Sequence, residues 1–525
     1  YAYRQKIPLK RTDGVVTDYQ MKLTVNKTTG SSSGSTVYLK NHALSWTSTV
    51  PNDIRFTKAN GTTLLDYWIE SSDANTATVW IEFDSIGTTD TDFYIYYGKS
   101  GDTTTSNGTN TFIKFDDFES YTIGDSPSAA KGWSTEGTGA NDKIDVRANP
   151  DGDGKVLRFL ESGDDVTTKA ILAFGSELYP VAVDYDLYLD NLPVGNHSNW
   201  YSSLNDSGTS KVLVRWLCQG GVADAIEWYD GSAYHDFNPA VSFAIDTWYK
   251  LNHLVYSNDY HLVIDGTDKD GGLCSSLDTG VDQLDIQTTR FDAVTAYINN
   301  VKVRNYASPE PTWGTWGSEV TAPTVTTQAV SSIATTTATG NGNITATGGE
   351  DASAWGTCLA TTANPDTGDT VDAGSGTDGA HVFTTSIDGL TEGTHYHVRA
   401  YATNLAGTSY GADVVFNTLT LGKATLAGIG TLTAIGEVFK LGAATLAGIG
   451  SLTASAVEIL IGKVTLAGTG TLAAIGGFWR FGKATLAGIG SLAIIGQVFK
   501  LGVATLFGVG TLAGNAIVTF IGKAT

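Results

Sequence analysis

Two aspartates in the stretch VAVDYDLYLDN, residues 181–191, are the side chains whose spacing most suggests chemistry. Asp184 and Asp186 point to the same side of a strand, as an acid and a nucleophile about 5 Å apart do in a retaining glycosidase. Asp190 follows and no Glu stands in the motif, so an exposed polar strand face is expected rather than catalysis. The loop NPDGDG at 149–154 offers Asp151 and Asp153 as oxygen ligands for Ca2+ but lacks the distal glutamate of a full calcium loop. Beyond Ca2+ at this loop, no cofactor is expected. His395 and His397 flank Tyr396 without a third zinc ligand, and GSSSG at 30–34 fits a nucleophile elbow only formally, because no helix pattern follows it. No phosphate-binding glycine loop is present. The chain is expected not to be an enzyme.

Aromatic residues are the better lead, since sugars stack their apolar ring faces on exposed rings beside polar groups. Trp200, Tyr201, Trp216, Trp228, Tyr229 and Tyr234 crowd one region. Trp216 shares parity with Val212 and Val214 in KVLVRWLC and reads as core. EWYDGSAYHDF at 227–237 reads as a hairpin with Asp230 and Gly231 at its tip, which places Trp228, Tyr229 and Tyr234 nearer solvent. The expected carbohydrate-binding set is therefore Trp228, Tyr229, Tyr234, Trp200 and Tyr201.

Strands must position these groups. Runs such as YQMKLTV at 19–25, TVWIEFD at 78–84 and DFYIYYG at 92–98 alternate between two faces, with Gly, Asn and Ser clusters between them. No convincing amphipathic helix occurs before residue 420, and 525 residues exceed a single core. The expected fold is all-β, with tandem sandwiches over 1–100 and 112–319, a polar linker at 101–111, a third module at 320–419 and β-repeats at 420–525.

Charge is unevenly spread. The chain has 32 basic and 54 acidic side chains, and residues 421–525 hold seven basic and two acidic ones, so the first 420 residues carry 25 against 52. A head with a net charge of −27 repels phosphate backbones, and nucleic acid is not an expected partner. Cys218, Cys274 and Cys358 are too few for a disulfide scaffold; Cys218 and Cys274 can pair or remain buried thiols. Tyr rather than Met at position 1, with no apolar run long enough for a spanning helix, points to secretion or to display on a cell or virion surface.

Three segments resemble known families. DIRFTKANGTTLLDYWIES at 53–71, ATVWIEF at 77–83 and FYIYYG at 93–98 resemble an uncharacterised domain of large secreted prokaryotic and phage β-proteins, a family without assigned chemistry. FIKFDDFES at 112–120, TWYKLNHLV at 247–255, YHLVIDG at 260–266 and AYINNVKVRNYA at 296–307 are similar to laminin-G or concanavalin-like jelly rolls. That resemblance implies glycan or protein binding more often than catalysis. GLTEGTHYHVRAYATNLAGTSYGADVVFNT at 389–418 is similar to the closing half of fibronectin type III modules, which implies a spacer with Tyr396 as its corner tyrosine.

From 421 the chain repeats every twenty residues, beginning LGKATLAGIGTLTAIGEVFK. One alternating face is apolar (Leu426, Gly428, Gly430, Leu432) and the other is Thr425, Ala427, Ile429, Thr431 and Thr433. A single unit cannot bury its apolar face, so stacking is expected, as a solenoid or as stacked hairpins, with Leu426, Leu446, Leu466, Leu486 and Leu506 in one ladder. Aromatics are scattered at Phe439, Trp479 and Phe499 rather than paired in girdles, so a membrane barrel is not expected. IGKAT at 521–525 matches the start of a further copy, and the array is expected to run on. Ile429, Ile449 and Ile489 are expected at the surfaces through which copies of the chain assemble. The reading is a structural or adhesive surface protein with glycan-binding heads on a self-associating shaft. The alternative is a monomeric carbohydrate-binding adhesin or glycoside hydrolase accessory protein.

Overall fold

Alternation of apolar and polar residues becomes sheet along most of the chain. The computed structural model describes residues 1–525 apart from 48–49, 140, 163–166, 191–196, 220–221, 231, 238–242, 270, 275–276, 278–279, 289–292, 375, 377, 421, 502–503, 508–509 and 521–525. It also describes few side chains in the repeats. Among the described residues the α-helix is the short Gly108–Thr111, with a 3-10 turn at Ala129–Lys131 and 3-10 conformation at Leu277, and no helix is long and apolar enough to cross a membrane. By its contacts the chain forms two units, one of Tyr1–Ala322 with Gly348–Glu350 and Leu405–Gly407, the other of the remainder.

The first unit holds two sandwiches. In the first, Val16–Asn26 pairs with Thr76–Ile86, and Tyr3–Lys10 pairs with Thr91–Tyr97 in the facing sheet. Their alternate residues Leu23, Val25, Val79, Ile81, Phe83, Phe93 and Ile95 make the core. Thr312–Trp313 and Glu319–Thr321 return to this sheet, with Leu9 opposite Trp313 and Tyr3 opposite Thr321, and Trp316 enters its core. They occupy an edge of Tyr3–Lys10 that would otherwise be unpaired. These residues, expected from sequence at the end of the jelly roll (to 319) and the start of the third module (320–321), thus belong to the sheet that holds Tyr3–Lys10. The polar segment at 101–111 is also tied down: the Asn107 amide donates to the Tyr67 carbonyl at 2.8 Å, and the Ile69 amide donates to Ser106 Oγ at 2.8 Å.

The second sandwich is a jelly roll of two sheets. One is seven-stranded, in the order Trp133–Glu136, Lys169–Leu178, Val281–Thr288, His197–Asp206, Thr209–Gln219, Val222–Tyr229, Tyr234–Asp236. The other is nine-stranded, centred on Lys155–Ser162, Ala293–Asn305, Val181–Leu189 and Trp248–Tyr256. Inward residues of both, among them Phe159, Val183, Tyr185, Leu187, Val214 and Trp216, form one core. Cys274 is a buried thiol whose Sγ lies 3.4 Å from the Lys211 and Asp230 carbonyl oxygens; the Cys218 side chain lies outside the described residues.

In the second unit, a three-stranded sheet (Thr324–Ser331, Ala338–Ala346, Val382–Ile387) faces a five-stranded one built on Ala354–Ala360 and His395–Asn404. The Tyr396 hydroxyl accepts the Thr391 amide at 3.0 Å, the backbone closure expected of that tyrosine. The repeats are extended over Gly422–Leu501, Ala504–Phe507 and Gly510–Phe520. Ala484–Ala487 pairs in parallel with Ala504–Phe507 and Gly490 pairs with Gly510, an offset of twenty that sets Leu486 opposite Leu506. Parallel pairing rules out an antiparallel hairpin over 484–520 and requires the chain to return once per repeat. The described side chains Thr445, Ile449, Ser451, Thr453, Thr465, Ala467, Thr469, Thr471 and Ala473 are exposed or half-buried, and all share the parity of Thr425 and Ile429. Ile449 is 58% exposed. The side chains of Leu426, Ile429, Leu446, Leu466, Leu486, Ile489 and Leu506 lie outside the described residues.

Candidate functional site

Three strands of the seven-stranded sheet carry the expected aromatic residues, and the pleat sorts them. Along His197–Asp206, Thr209–Gln219 and Val222–Tyr229, Trp200, Leu204, Val212, Val214, Trp216, Ile226 and Trp228 point inward. Tyr201, Ser203, Leu213, Arg215, Glu227 and Tyr229 take the outer face. Trp200 at 0% and Trp228 at 4% exposure are therefore core residues, which corrects the sequence expectation for both. Trp228 lies near a turn tip, but its parity with Ile226 decides its direction.

Tyr201, Tyr229 and Tyr234 do come together on the outer face. Tyr201 is opposite Arg215, Arg215 is opposite Glu227, and Tyr229 is opposite Tyr234. The Tyr229 and Tyr234 rings are 5.0 Å apart, and the Arg215 guanidinium lies 3.3 Å from the Tyr234 ring centre. Glu227 holds Arg215 at 2.7 Å through Nε and 2.5 Å through the terminal nitrogen, which fixes the fork over the ring. Tyr234 is 41% exposed. Partial burial raises its hydroxyl pKa; Arg215 opposes the shift while Tyr201 and Tyr229 add to it, so the phenol remains a neutral donor. Gln287 sits opposite Tyr201 on the neighbouring strand. Arg215, Glu227 and Gln287 were not singled out from sequence; the alternation beside Val214 and Trp216 was the available signal for Arg215.

The other candidates resolve differently. Asp184 and Asp186 are not on an exposed face. Arg304 Nε donates to Asp184 at 3.1 Å, and Asn300 donates to Asp186 at 2.7 Å. Both line a pocket of about 250 Å³ with Lys22, Glu70, Trp80 and Lys302, where the two sandwiches of the first unit meet. Burial pushes the Asp186 pKa up, against Lys302, Asn300 and Lys250. Burial also acts on Glu70, but Lys302 at 3.0 Å and Lys22 at 2.7 Å outweigh it and hold its carboxyl at about 2. Asp151 and Asp153 are exposed in a turn closed by Asn149, whose Oδ1 accepts the Asp151 amide at 3.1 Å. Among the described residues no group of three or more His, Cys, Asp or Glu is placed to hold a metal. His395 bonds Asn417 at 2.9 Å and His397 bonds Asp413 at 2.8 Å, so each already has a partner on or beside the strand Val414–Asn417.

Residues 50–136 match a family model described as a domain of unknown function, DUF2341. The match takes in all three segments that carry the first resemblance and runs through the docked linker into the first strands of the jelly roll. No curated protein matches the chain. Among solved structures, a sialidase is similar at 10% identity over 42% of this chain and 20% of its own, with a TM-score of 0.29. The chain thus spans about a fifth of that sialidase. The cellulose-induced protein Cip1 is similar at 11% identity over 37% of this chain and 97% of its own, with a TM-score of 0.29. A family 11 carbohydrate-binding module from Clostridium thermocellum, in complex with a beta-1,3-1,4-mixed-linked tetrasaccharide, is similar at 11% identity over 37% and 95%, with a TM-score of 0.20.

Proposed function

We propose that this chain is a non-enzymatic extracellular surface protein whose jelly roll binds glycans on the outer face of its seven-stranded sheet. The observation that carries the reading is the meeting of Tyr201, Tyr229 and Tyr234 around an Arg215 already held by Glu227. Rings fixed by their neighbours lose little rotamer entropy on binding, and the adjacent polar groups can bond sugar hydroxyls. The third module, with its Tyr396 closure, serves as a spacer.

A second reading, a filament subunit whose heads decorate an assembled core, draws on the twenty-residue parallel register of the repeats. Stacked units of this kind leave strand edges open to pairing with another chain. Glycan-array binding by the full chain, reduced by Tyr234→Ala by about 1–2 kcal/mol with an unchanged melting transition, supports the first reading. Array binding that is identical in wild type and in Tyr201→Ala/Tyr234→Ala removes this face as the site.

A further inference from the structure

The outer face of the nine-stranded sheet carries a second aromatic set. Cross-strand register places Trp248, Tyr188, Tyr297, Arg158 and Asp145 in one line over five strands, each opposite the next. The Trp248 and Tyr188 rings are 5.3 Å apart and those of Tyr188 and Tyr297 are 5.9 Å apart, close to the strand spacing of about 4.8 Å. Trp248 and Tyr297 are half-buried, and Tyr188 is packed between them.

The row is held in place at Tyr188 and at its Arg158 end. The Tyr188 hydroxyl donates to Asp246 at 3.3 Å. Arg158 grips Asp145 with two bonds of 3.0 and 3.1 Å, and Arg147 takes the same carboxylate. Burial raises the Tyr188 hydroxyl pKa, with Asp246, Asp190 and Asp151 adding to the shift, so the acidic turn at 149–154 lies within electrostatic reach of the row.

Cross-strand aromatic pairs also stabilise sheets with no ligand involved. The distribution on this face argues for more than that. Where the same face meets the first sandwich, it presents Asp184, Asp186, Lys302 and Arg304 to Lys22, Glu70 and Trp80. Where it meets solvent, it presents Trp248 and Tyr297 beside the charged Lys250, Arg147 and Arg158. Burial alone selects the opposite, apolar groups covered and charges outside.

We propose that the row from Trp248 to Arg158 is a second carbohydrate platform, which takes a neutral glycan chain running across the strands. Trp248 and Tyr297 stand two strands apart, about 10 Å or roughly two pyranoses of an extended chain, so alternate sugars meet the two half-buried rings across the packed Tyr188. Hydroxyls at the chain's edge reach the exposed Asp190 and Asp246 on one side and Arg158 on the other. The acidic rim and the net negative head disfavour uronate and sialate chains. The platform needs nothing from the Tyr234 face and would make the jelly roll bivalent.

The test is affinity electrophoresis of the full chain in gels containing galactomannan, xyloglucan or hydroxyethylcellulose, with alginate as the anionic probe. Trp248→Ala/Tyr297→Ala is expected to weaken retardation by a neutral polysaccharide about tenfold, with the remainder lost when Tyr201→Ala/Tyr234→Ala is added. Retardation lost in Tyr201→Ala/Tyr234→Ala alone, with the row variant unchanged, overturns the row and leaves the first face standing. The reverse outcome leaves the row standing and removes the first face. Because the alanine variants can perturb folding, the wild-type chain supplies a second measurement: oxidation of Trp248 by N-bromosuccinimide, read by peptide mass spectrometry. Protection by saturating neutral polysaccharide supports the platform, and full reactivity at saturation overturns it, as does retardation by none of the neutral polysaccharides.

Discussion

His253 gives the jelly-roll core a pH dependence that can be worked out in advance. The ring is fully buried, with Nδ1 2.8 Å from the Tyr260 hydroxyl and Nε2 3.4 Å from that of Tyr185. Burial lowers its pKa from 6.5 to about 3. Between those values the unfolded chain binds a proton that the folded chain does not, so this contribution to stability is complete above pH 6.5 and falls away as pH drops toward 3. At pH 5 the loss is RT ln(1 + 10^1.5), about 2 kcal/mol, while at pH 7.5 it is below about 0.1 kcal/mol. Total stability will not report it cleanly. Glu82 in the first sandwich is pushed up to about 7 by burial and by Asp18 and Asp66, and it titrates with the opposite sign over the same window. The assay is therefore local: hydrogen exchange of amides in Trp248–Tyr256 and Asp259–Ile264, corrected for intrinsic rates, in wild type and His253→Phe. The variant removes the 2.8 Å partner of the Tyr260 hydroxyl, at a cost of about 1–3 kcal/mol at every pH. The gap between the two proteins should narrow by about 2 kcal/mol from pH 7.5 to pH 5. A gap that stays constant over that range would refute a buried neutral imidazole at this position.

Trp228→Ala should destabilise the jelly roll by about 3–5 kcal/mol as a core cavity, and an unchanged urea midpoint would return Trp228 to the surface. Glu70→Gln should cost about 3–5 kcal/mol because it leaves Lys302 buried beside a neutral amide. The Glu70 contribution is complete above pH 4.5 and is lost as pH falls toward 2, so wild type and variant should converge in acid; a constant difference in calorimetry would exclude the pairing. The full chain should form oligomers at micromolar concentration that Ile429→Lys/Ile449→Lys/Ile489→Lys disperses, and light scattering that finds monomers in both proteins would remove the repeats as an assembly element.

Much of this architecture is written in period-two alternation. VAVDYDLYLDN, KVLVRWLC and ATVWIEF announce strands, the parity of Trp216 with Val214 announces core, and the twenty-residue period announces the register that sets Leu486 opposite Leu506. Nearness to a turn suggests solvent for Trp228, but parity with Ile226 is the stronger constraint when one face is buried. The composition of both outer faces was not legible, since which side chains share a row depends on register across strands far apart in sequence. Tyr188, Tyr297 and Trp248 are such a set. The surroundings of Asp184 and Asp186 were hidden for the same reason, because Lys22, Glu70 and Trp80 come from a different sandwich.

The return of Glu319–Thr321 to Tyr3–Lys10 makes the jelly roll a graft rather than a successor. The chain leaves its host sandwich, makes some two hundred residues of sheet, and re-enters the sheet it began. Entry and exit are neighbours, since Lys114–Asp116 pairs antiparallel with Ala293–Asn305 and Lys114 stands opposite Val303. Paired residues lie about 5 Å apart, a gap that a two-residue turn spans. The host could therefore accept a different insert, or a short loop in its place, without re-threading its own strands. Recognition in such a protein would change by exchanging the graft while its rootstock is kept.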